Sequence, residues 1–543
     1  MESATPPSIA MSAASRGLSF DWSFPYASRR VPVLADNVVV TSHPLAVQAG
    51  LSMLARGGNA VDAAVATAIA LVVVEPTNNG VGSDAFAIVW DGKRLFGANG
   101  SGRSPASWRR DRFPSSGSMP LLGWDAVTVP GAPALWADMS RRFGRLPFGD
   151  LFEPALRYAR DGAIIAPGIA ETWRMTAPLF ESRPDFRASF LPDGCVPAVG
   201  ERFRCEGMAA TLEALATTDC RALYEGRLAD RIVAHAKSEG GALARADLAS
   251  HATDWIEPIA VRYRGYELHE MPPNTHGIAA LVAAGVLERF EPASAADDPA
   301  WIHAQIEAMK AGIEDARCVV AEPDCVTTPV STLLEPGRLD TLARLIDPMR
   351  ASRFPHRSTL HGDTVYLATA DASGMIVSFI QSNYLSFGSG VVVPGTGISL
   401  QNRAACFTLE PGHPNEAGPR KRPFHTILPG FLTRAGTPVS AFGLMGGGMQ
   451  PQGHLQLLAR MVDHGQNPQM ALDAPRWQIC DDGTLAVEAA MAMEVRAELS
   501  RRGHELRTLD ATWFGGGQIV WKIADASYVA ASEPRKDGHA AGF

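Results

Sequence analysis

Cysteine is scarce: seven in 543 residues, at positions 195, 205, 220, 318, 325, 406 and 480, with no pair in C-x-x-C spacing. Zinc ribbons and dithiol redox sites need that spacing, so neither has support, and a disulfide-stapled secreted scaffold is not expected. A basic excess is also missing. Lys and Arg number 49 against 57 Asp and Glu, a formal net of −8, which argues against a surface built to meet nucleic-acid phosphates. No apolar run is long enough to cross a bilayer. The longest, 61–74, is interrupted by Asp62 and closed by Glu75, and reads as a buried helix. Residues 1–20 lack the apolar segment of about 7–15 residues that a secretion signal carries. A cytoplasmic protein without a membrane or nucleic-acid partner is therefore expected. Fourteen histidines include no H-E-x-x-H, so no metal is expected. No G-x-S-x-G elbow lies near His43, His361 or His425, so a Ser-His-Asp site is not expected either. No G-K-[ST] follows Gly446-Gly447-Gly448, so that run is not read as a phosphate loop. No cofactor is implied.

What is present is a chain large enough to bury about three quarters of its unfolded surface without staples. Residues 1–37 read as an N-terminal arm. The core pattern opens at Val38-Val39-Val40, followed by a helix over 46–56 that Gly57-Gly58 ends. Asn59 caps a second, Ala-rich helix over 60–74. Strands are expected at 85–90 and 94–98 around Asp91-Gly92. The stretch from about 130 to 300 reads as largely helical. The last third is strand-rich, with strands at 365–370, 375–382, 427–432 and 439–444, then a helix over 453–464. No repeat or low-complexity linker divides the chain. One α+β unit with packed strands and covering helices is expected.

The hairpin expected over 364–382 brings Ser382 back beside Thr364. A threonine hydroxyl alone is a poor nucleophile. If the Asp363–Thr364 bond is cut, the new α-amine, with a pKa of about 7.7–8.0, shares its residue with the hydroxyl and can accept that proton. From composition alone, a threonine that merely starts a strand is the commoner reading, as is a plain flexible turn for Gly446-Gly447-Gly448.

Several strings, in order along the chain, carry a resemblance. They are Ser42-His43-Pro44-Leu45-Ala46, 57–64 (Gly-Gly-Asn-Ala-Val-Asp-Ala-Ala) and Val73-Val74-Glu75-Pro76. Then come Asp363-Thr364 with Asp371-x-x-Gly374, Phe387-Gly388-Ser389-Gly390 and Lys421-Arg422-Pro423, and finally Gly446-Gly447 and Asp473-Ala474-Pro475-Arg476. From about residue 38 to the end the chain resembles the γ-glutamyltransferase family of N-terminal-nucleophile hydrolases. The resemblance implies a four-layer αββα sandwich and a proenzyme that cleaves itself between Asp363 and Thr364. A large chain (38–363, preceded by the arm) and a small chain (364–543) would then stay associated as a heterodimer within one αββα unit. It implies Thr364 as nucleophile, Ser382 as the hydroxyl near the new amine, and Gly446 and Gly447 as the oxyanion hole.

The match departs where the family holds its substrate. Ser101 stands at the family's carboxylate-binding arginine, with Arg103 two residues on. Tyr384 replaces an asparagine, Arg403 a glutamine and Cys406 an acid, while His425 and Thr426 replace two serines. Losing the acid removes the partner of a substrate α-ammonium, and Arg403 adds a planar cation suited to a carboxylate. Arg103, Tyr384, Arg403, His425 and Thr426 are therefore the expected substrate residues. A short 407–420 loop leaves the site open to water and favours hydrolysis over transfer. The expectation is an amide hydrolase acting on a small carboxylate-bearing acyl amide, oxamate-like or glutaryl/cephalosporin-like. One alternative is a γ-glutamyl hydrolase or transferase acting on glutathione. The other is an unprocessed, non-catalytic binding paralogue.

Overall fold

A computed structural model describes residues 22, 29–114, 117–354, 362–524 and 526–543. Most of the expected arm, and His361, lie outside the described residues. Two seven-stranded antiparallel sheets face one another. The first runs, in spatial order, Val33–Ala35, Ser527–Ser532, Gly516–Ala524, Thr437–Met445, Gly430–Arg434, Tyr266–Glu270, Ile259–Tyr263. The second runs His539–Gly542, Val38–Thr41, Asp363–Ala370, Ile376–Tyr384, Asp84–Trp90, Leu95–Gly100, Asp254–Ile256. Both sheets mix strands from before and after residue 363.

Strand alternation sorts the side chains into layers. Tyr366, Ala368 and Ala370 point between the sheets with Phe86, Ile88, Ile380, Phe431, Ala441, Val520 and Tyr528. Val365, Leu367, Val377 and Phe379 point the other way, onto the Ala60–Val74 helix. That helix is buried on every face, and Asn59 and Asp62 close its N-terminus as a reciprocal capping box. Phe442, Leu444 and Ile519 of the first sheet pack outward on helices Gly277–Leu287 and Met449–Val462. The result is the expected αββα sandwich.

Two differences from the sequence reading bear on how the sheets are built. Residues 33–35, assigned to the arm, form the edge strand paired with Ser527–Ser532. The largely helical stretch contains the Ile259–Tyr263/Tyr266–Glu270 hairpin and the Asp254–Ile256 strand, three short strands whose signal a composition average over a long window erases.

Candidate active site

Thr364 is buried (1% exposed) at the start of the Asp363–Ala370 strand. Pairing with Ile376–Tyr384 runs Asp363↔Tyr384 and then Val365↔Gln381, so Thr364 alone faces Ser382 and Asn383. Such a bulge re-aims a side chain. The Thr364 hydroxyl donates to Ser382 Oγ at 3.1 Å, and Ser382 Oγ also accepts the Tyr384 amide at 2.8 Å.

The glycine turn sits at the same end of the sandwich. The Tyr366 ring lies against Gly443, where any Cβ would come within 2.4 Å of it. The Tyr528 hydroxyl donates to the Asp371 carbonyl at 3.0 Å, and Tyr528 pairs with Lys522, next to the Trp521↔Ser440 pair in the first half of the Thr437–Met445 strand. The strand that begins at Asp363 therefore runs opposite to the one that ends at Met445, so Thr364 and Gly446 share one edge. Gly446 (φ +119°) and Gly447 (φ +59°) have backbone conformations that L side chains rarely adopt. They lead into the Met449–Val462 helix, at the helix end where free amides favour negative charge.

Four of the five expected substrate residues cluster here. Arg403 is fully buried, its Nη1 donating to Thr426 Oγ1 at 2.8 Å and its guanidinium carbon 4.5 Å from the Tyr384 ring centroid. Its Nε and Nη2 have no hydrogen-bond partner among the described residues. These two N–H groups lie on one edge of the planar fork, the geometry that takes a carboxylate through two parallel bonds. Tyr384 adopts φ +78°, uncommon for a bulky residue, at the strand end beneath that guanidinium. The Cys406 thiol is pushed up by burial, with Arg403 and Tyr384 pulling it back.

His425, also fully buried, packs edge-on to Phe86 at 4.8 Å and places Nε2 3.2 Å from Asp84 Oδ2. Burial, then Arg403, holds His425 well below its ordinary pKa. Asp84 Oδ1 accepts from the Gly102 and Gly131 amides at 3.1 and 3.2 Å. Burial raises the Asp84 carboxyl to about 7 against the pull of Arg403. Sequence reasoning passed over Asp84. Its only signal is a lone carboxylate opening an otherwise apolar strand.

Arg103 stands apart. It is 39% exposed, donates to Glu322 at 3.1 Å and lies 3.9 Å from Asp254. Arg422 takes the rest of that acidic pair, bonding Asp254 through Nη1 and Glu322 through its backbone amide, while its Nε reaches the Ser101 carbonyl. The Ser101 hydroxyl turns to Asn99 Oδ1 at 2.7 Å. The 407–420 loop is pinned down: Asn415 Nδ2 donates to the Cys406 carbonyl at 2.7 Å, and Lys421 Nζ to the carbonyls of Pro414 and Glu416 at 2.8 and 2.7 Å.

Among the described residues, two groups of side chains have metal-like proximity, Asp185–His235–Glu239 and the buried His303–Glu307–His504. In the buried group His303 Nδ1 already meets His504 Nε2 at 2.8 Å, and Glu307 takes Lys310 at 2.7 Å.

The profile of the Gamma-glutamyltranspeptidase family matches residues 46–543. The chain is 35% identical over 518 residues to the glutathione hydrolase-like YwrD proenzyme of Bacillus subtilis, covering 93% of this chain and 98% of that one. It is 32% identical over 525 residues to the oxamate amidohydrolase proenzyme of Klebsiella pneumoniae, covering 94% and 99%. Among solved structures, cephalosporin acylase from Bacillus halodurans superposes with a TM-score of 0.93 at 44% identity, covering 97% and 99% of the two chains.

Proposed function

The chain belongs to the gamma-glutamyltranspeptidase family of N-terminal-nucleophile hydrolases, and from that premise we propose that it cleaves itself between Asp363 and Thr364 and then hydrolyses small acyl amides bearing a carboxylate on the acyl group. Self-cleavage consumes one water and converts the Thr364 amide into a free amine. In turnover that amine takes the proton of Thr364 Oγ1 as the oxygen attacks the substrate carbonyl. The amides of Gly446 and Gly447 meet the oxyanion, a contribution of about 3–4 kcal/mol per donor in comparable sites. The C–N bond breaks, the leaving amine or ammonia carries the proton away, and water releases the acyl group from Thr364.

The single observation that carries the substrate half is the unpartnered Nε/Nη2 edge of the fully buried Arg403. A buried donor without an acceptor is costly, and a substrate carboxylate between Arg403, Thr426 and Tyr384 removes that cost. The acylase and oxamate amidohydrolase likenesses support an acyl end with a carboxylate and no α-ammonium. The pinned 407–420 loop favours water over an amine acceptor. Because each sheet takes strands from both sides of the cut, the products 1–363 and 364–543 are expected to stay together as a heterodimer.

A second reading, γ-glutamyl compounds including glutathione, is favoured by one observation: Asp84 is a buried carboxylate near Arg403 that could meet an α-ammonium. The test is hydrolysis of oxamate, a glutaryl amide and a γ-glutamyl anilide side by side, with Thr364→Ala as control. The proposal expects the first or second to exceed the third by at least about tenfold in kcat/KM, and Thr364→Ala to remain one uncut, inactive chain. Faster turnover of the γ-glutamyl anilide supports the second reading. Activity in uncut protein overturns the mechanism.

A further inference from the structure

Beside Arg403, Asp84 and its partner His425 form a charge system that the mechanism above leaves unused. Arg403 is a permanent cation with no carboxylate in hydrogen-bond contact among the described residues. Asp84 feels its charge and is linked to it through His425, the neighbour of the Thr426 that Arg403 bonds: it is buried, anchored by the Gly102 and Gly131 amides, and bonded to His425 Nε2. We propose that Asp84 is the exchangeable counter-charge of Arg403: when a substrate carboxylate settles on the guanidinium, Asp84 takes up a proton from solvent, so that anion binding at this site is proton-coupled. The proposal rests on the carboxylate-on-Arg403 reading.

The charges around Asp84 make the coupling specific. Arg403 and Arg422 stabilise its anion. His425, its direct partner, is pushed well below its ordinary pKa by burial and the same arginines. The Tyr224 hydroxyl and the Cys406 thiol also feel the Asp84 charge, and burial pushes both up, away from neutrality. His276, beyond Thr426, is pushed down to about 3 by burial. Asp84 alone among these sits near neutral pH. An anion on Arg403 puts two carboxylates in the field of one guanidinium, and like charges in a low-dielectric site raise the weaker acid further. Its proton uptake restores neutrality. By linkage, affinity for the anion is greatest where Asp84 is already protonated and declines as pH rises through its free-state range, by at most tenfold per pH unit. The same residue thus ranks substrates: a neutral acyl group gains nothing from the uptake, and a dicarboxylic half-amide does.

The experiment is isothermal calorimetry of glutarate and of oxalate binding to the processed enzyme at pH 7.5, in two buffers of different ionisation enthalpy, with Kd followed from pH 6 to 8.5. The expected result is net uptake of about half to one proton per anion and a Kd that rises about tenfold or more across that range. Asp84→Asn is expected to abolish the uptake and flatten the pH profile. Anion binding that Arg403→Ala weakens but that carries no proton uptake overturns the Asp84 proposal and leaves the carboxylate reading standing. Failure of both anions to bind, or binding indifferent to Arg403→Ala, overturns both. The wild-type calorimetry decides the matter even if Asp84→Asn does not fold.

Discussion

The guanidinium of Arg403 lies 4.5 Å from the centroid of the Tyr384 ring, and both side chains are buried. Tyr384 ends the strand whose Ser382 meets Thr364, so this stacking ties the candidate acyl pocket to the candidate nucleophile through two residues of backbone. Attack geometry and acyl recognition are held by one rigid strand end, and a shift in either is felt by the other.

Arg403→Lys keeps the charge but loses the planar fork. KM for a carboxylate-bearing acyl amide is expected to rise about 10- to 100-fold, the loss of one charge-assisted bidentate contact. The value of kcat should change less. Steady-state kinetics on the preferred substrate checks the split; an unchanged KM removes Arg403 from the pocket.

Ser382→Ala leaves the Thr364 hydroxyl and the Tyr384 amide without their shared buried partner. Self-cleavage is expected to slow by at least about tenfold, the scale of one lost hydrogen bond. A time course of the 57.9 kDa precursor band on denaturing gels measures it.

Gly443→Ala drives a methyl group into the Tyr366 ring, whereas a Cβ at Gly448 meets nothing within 4 Å. Overpacking of this kind costs about 1–3 kcal/mol. Gly443→Ala should lower the melting temperature by several degrees, with Gly448→Ala near wild type. Equal melting temperatures would contradict the face-to-face contact of the two sheets.

The processed chains should co-elute on size exclusion in native buffer and separate only in denaturant. The Asp363–Ala370 strand is flanked in its sheet by Val38–Thr41 of the large chain and Ile376–Tyr384 of the small one. Dissociation would therefore break two sheets. Spontaneous separation in native buffer would refute this.

Acid sensitivity has a source in Glu533. Burial pushes its carboxyl up, but Arg476 and Arg535 outweigh that and hold it down at about 2. A depressed acid contributes stability that is complete above its unfolded pKa of about 4.3 and is lost as pH falls through the folded value. Glu533→Gln is expected to lower thermal stability clearly at pH 7 and much less at pH 2–3. Breaking a buried ion pair typically costs about 3–5 kcal/mol. Melting curves at the two pH values test this; an equal penalty at both would rule out the ion pair as the cause.

Much was legible from local signals. Asn59 caps the 60–74 helix because its side chain reaches amides only two or three residues away. The hairpin through 371–374 brings Ser382 to Thr364 because antiparallel register follows from a short turn.

The charge partners were not legible. Arg103 and Arg403 are the same residue type in the sequence. Only the fold gives the first to Glu322 and Asp254, and leaves the second stacked on Tyr384 with an open donor edge. Asp84 is an unremarked strand-opening carboxylate until its strand is laid beside Ile376–Tyr384 and the turn carrying His425 is brought over it. Backbone pattern is written in neighbours along the chain. The electrostatics of this pocket depend on which charges share a buried volume and on how far water is kept from them, and both are set by packing residues as distant in sequence as 84, 403 and 425.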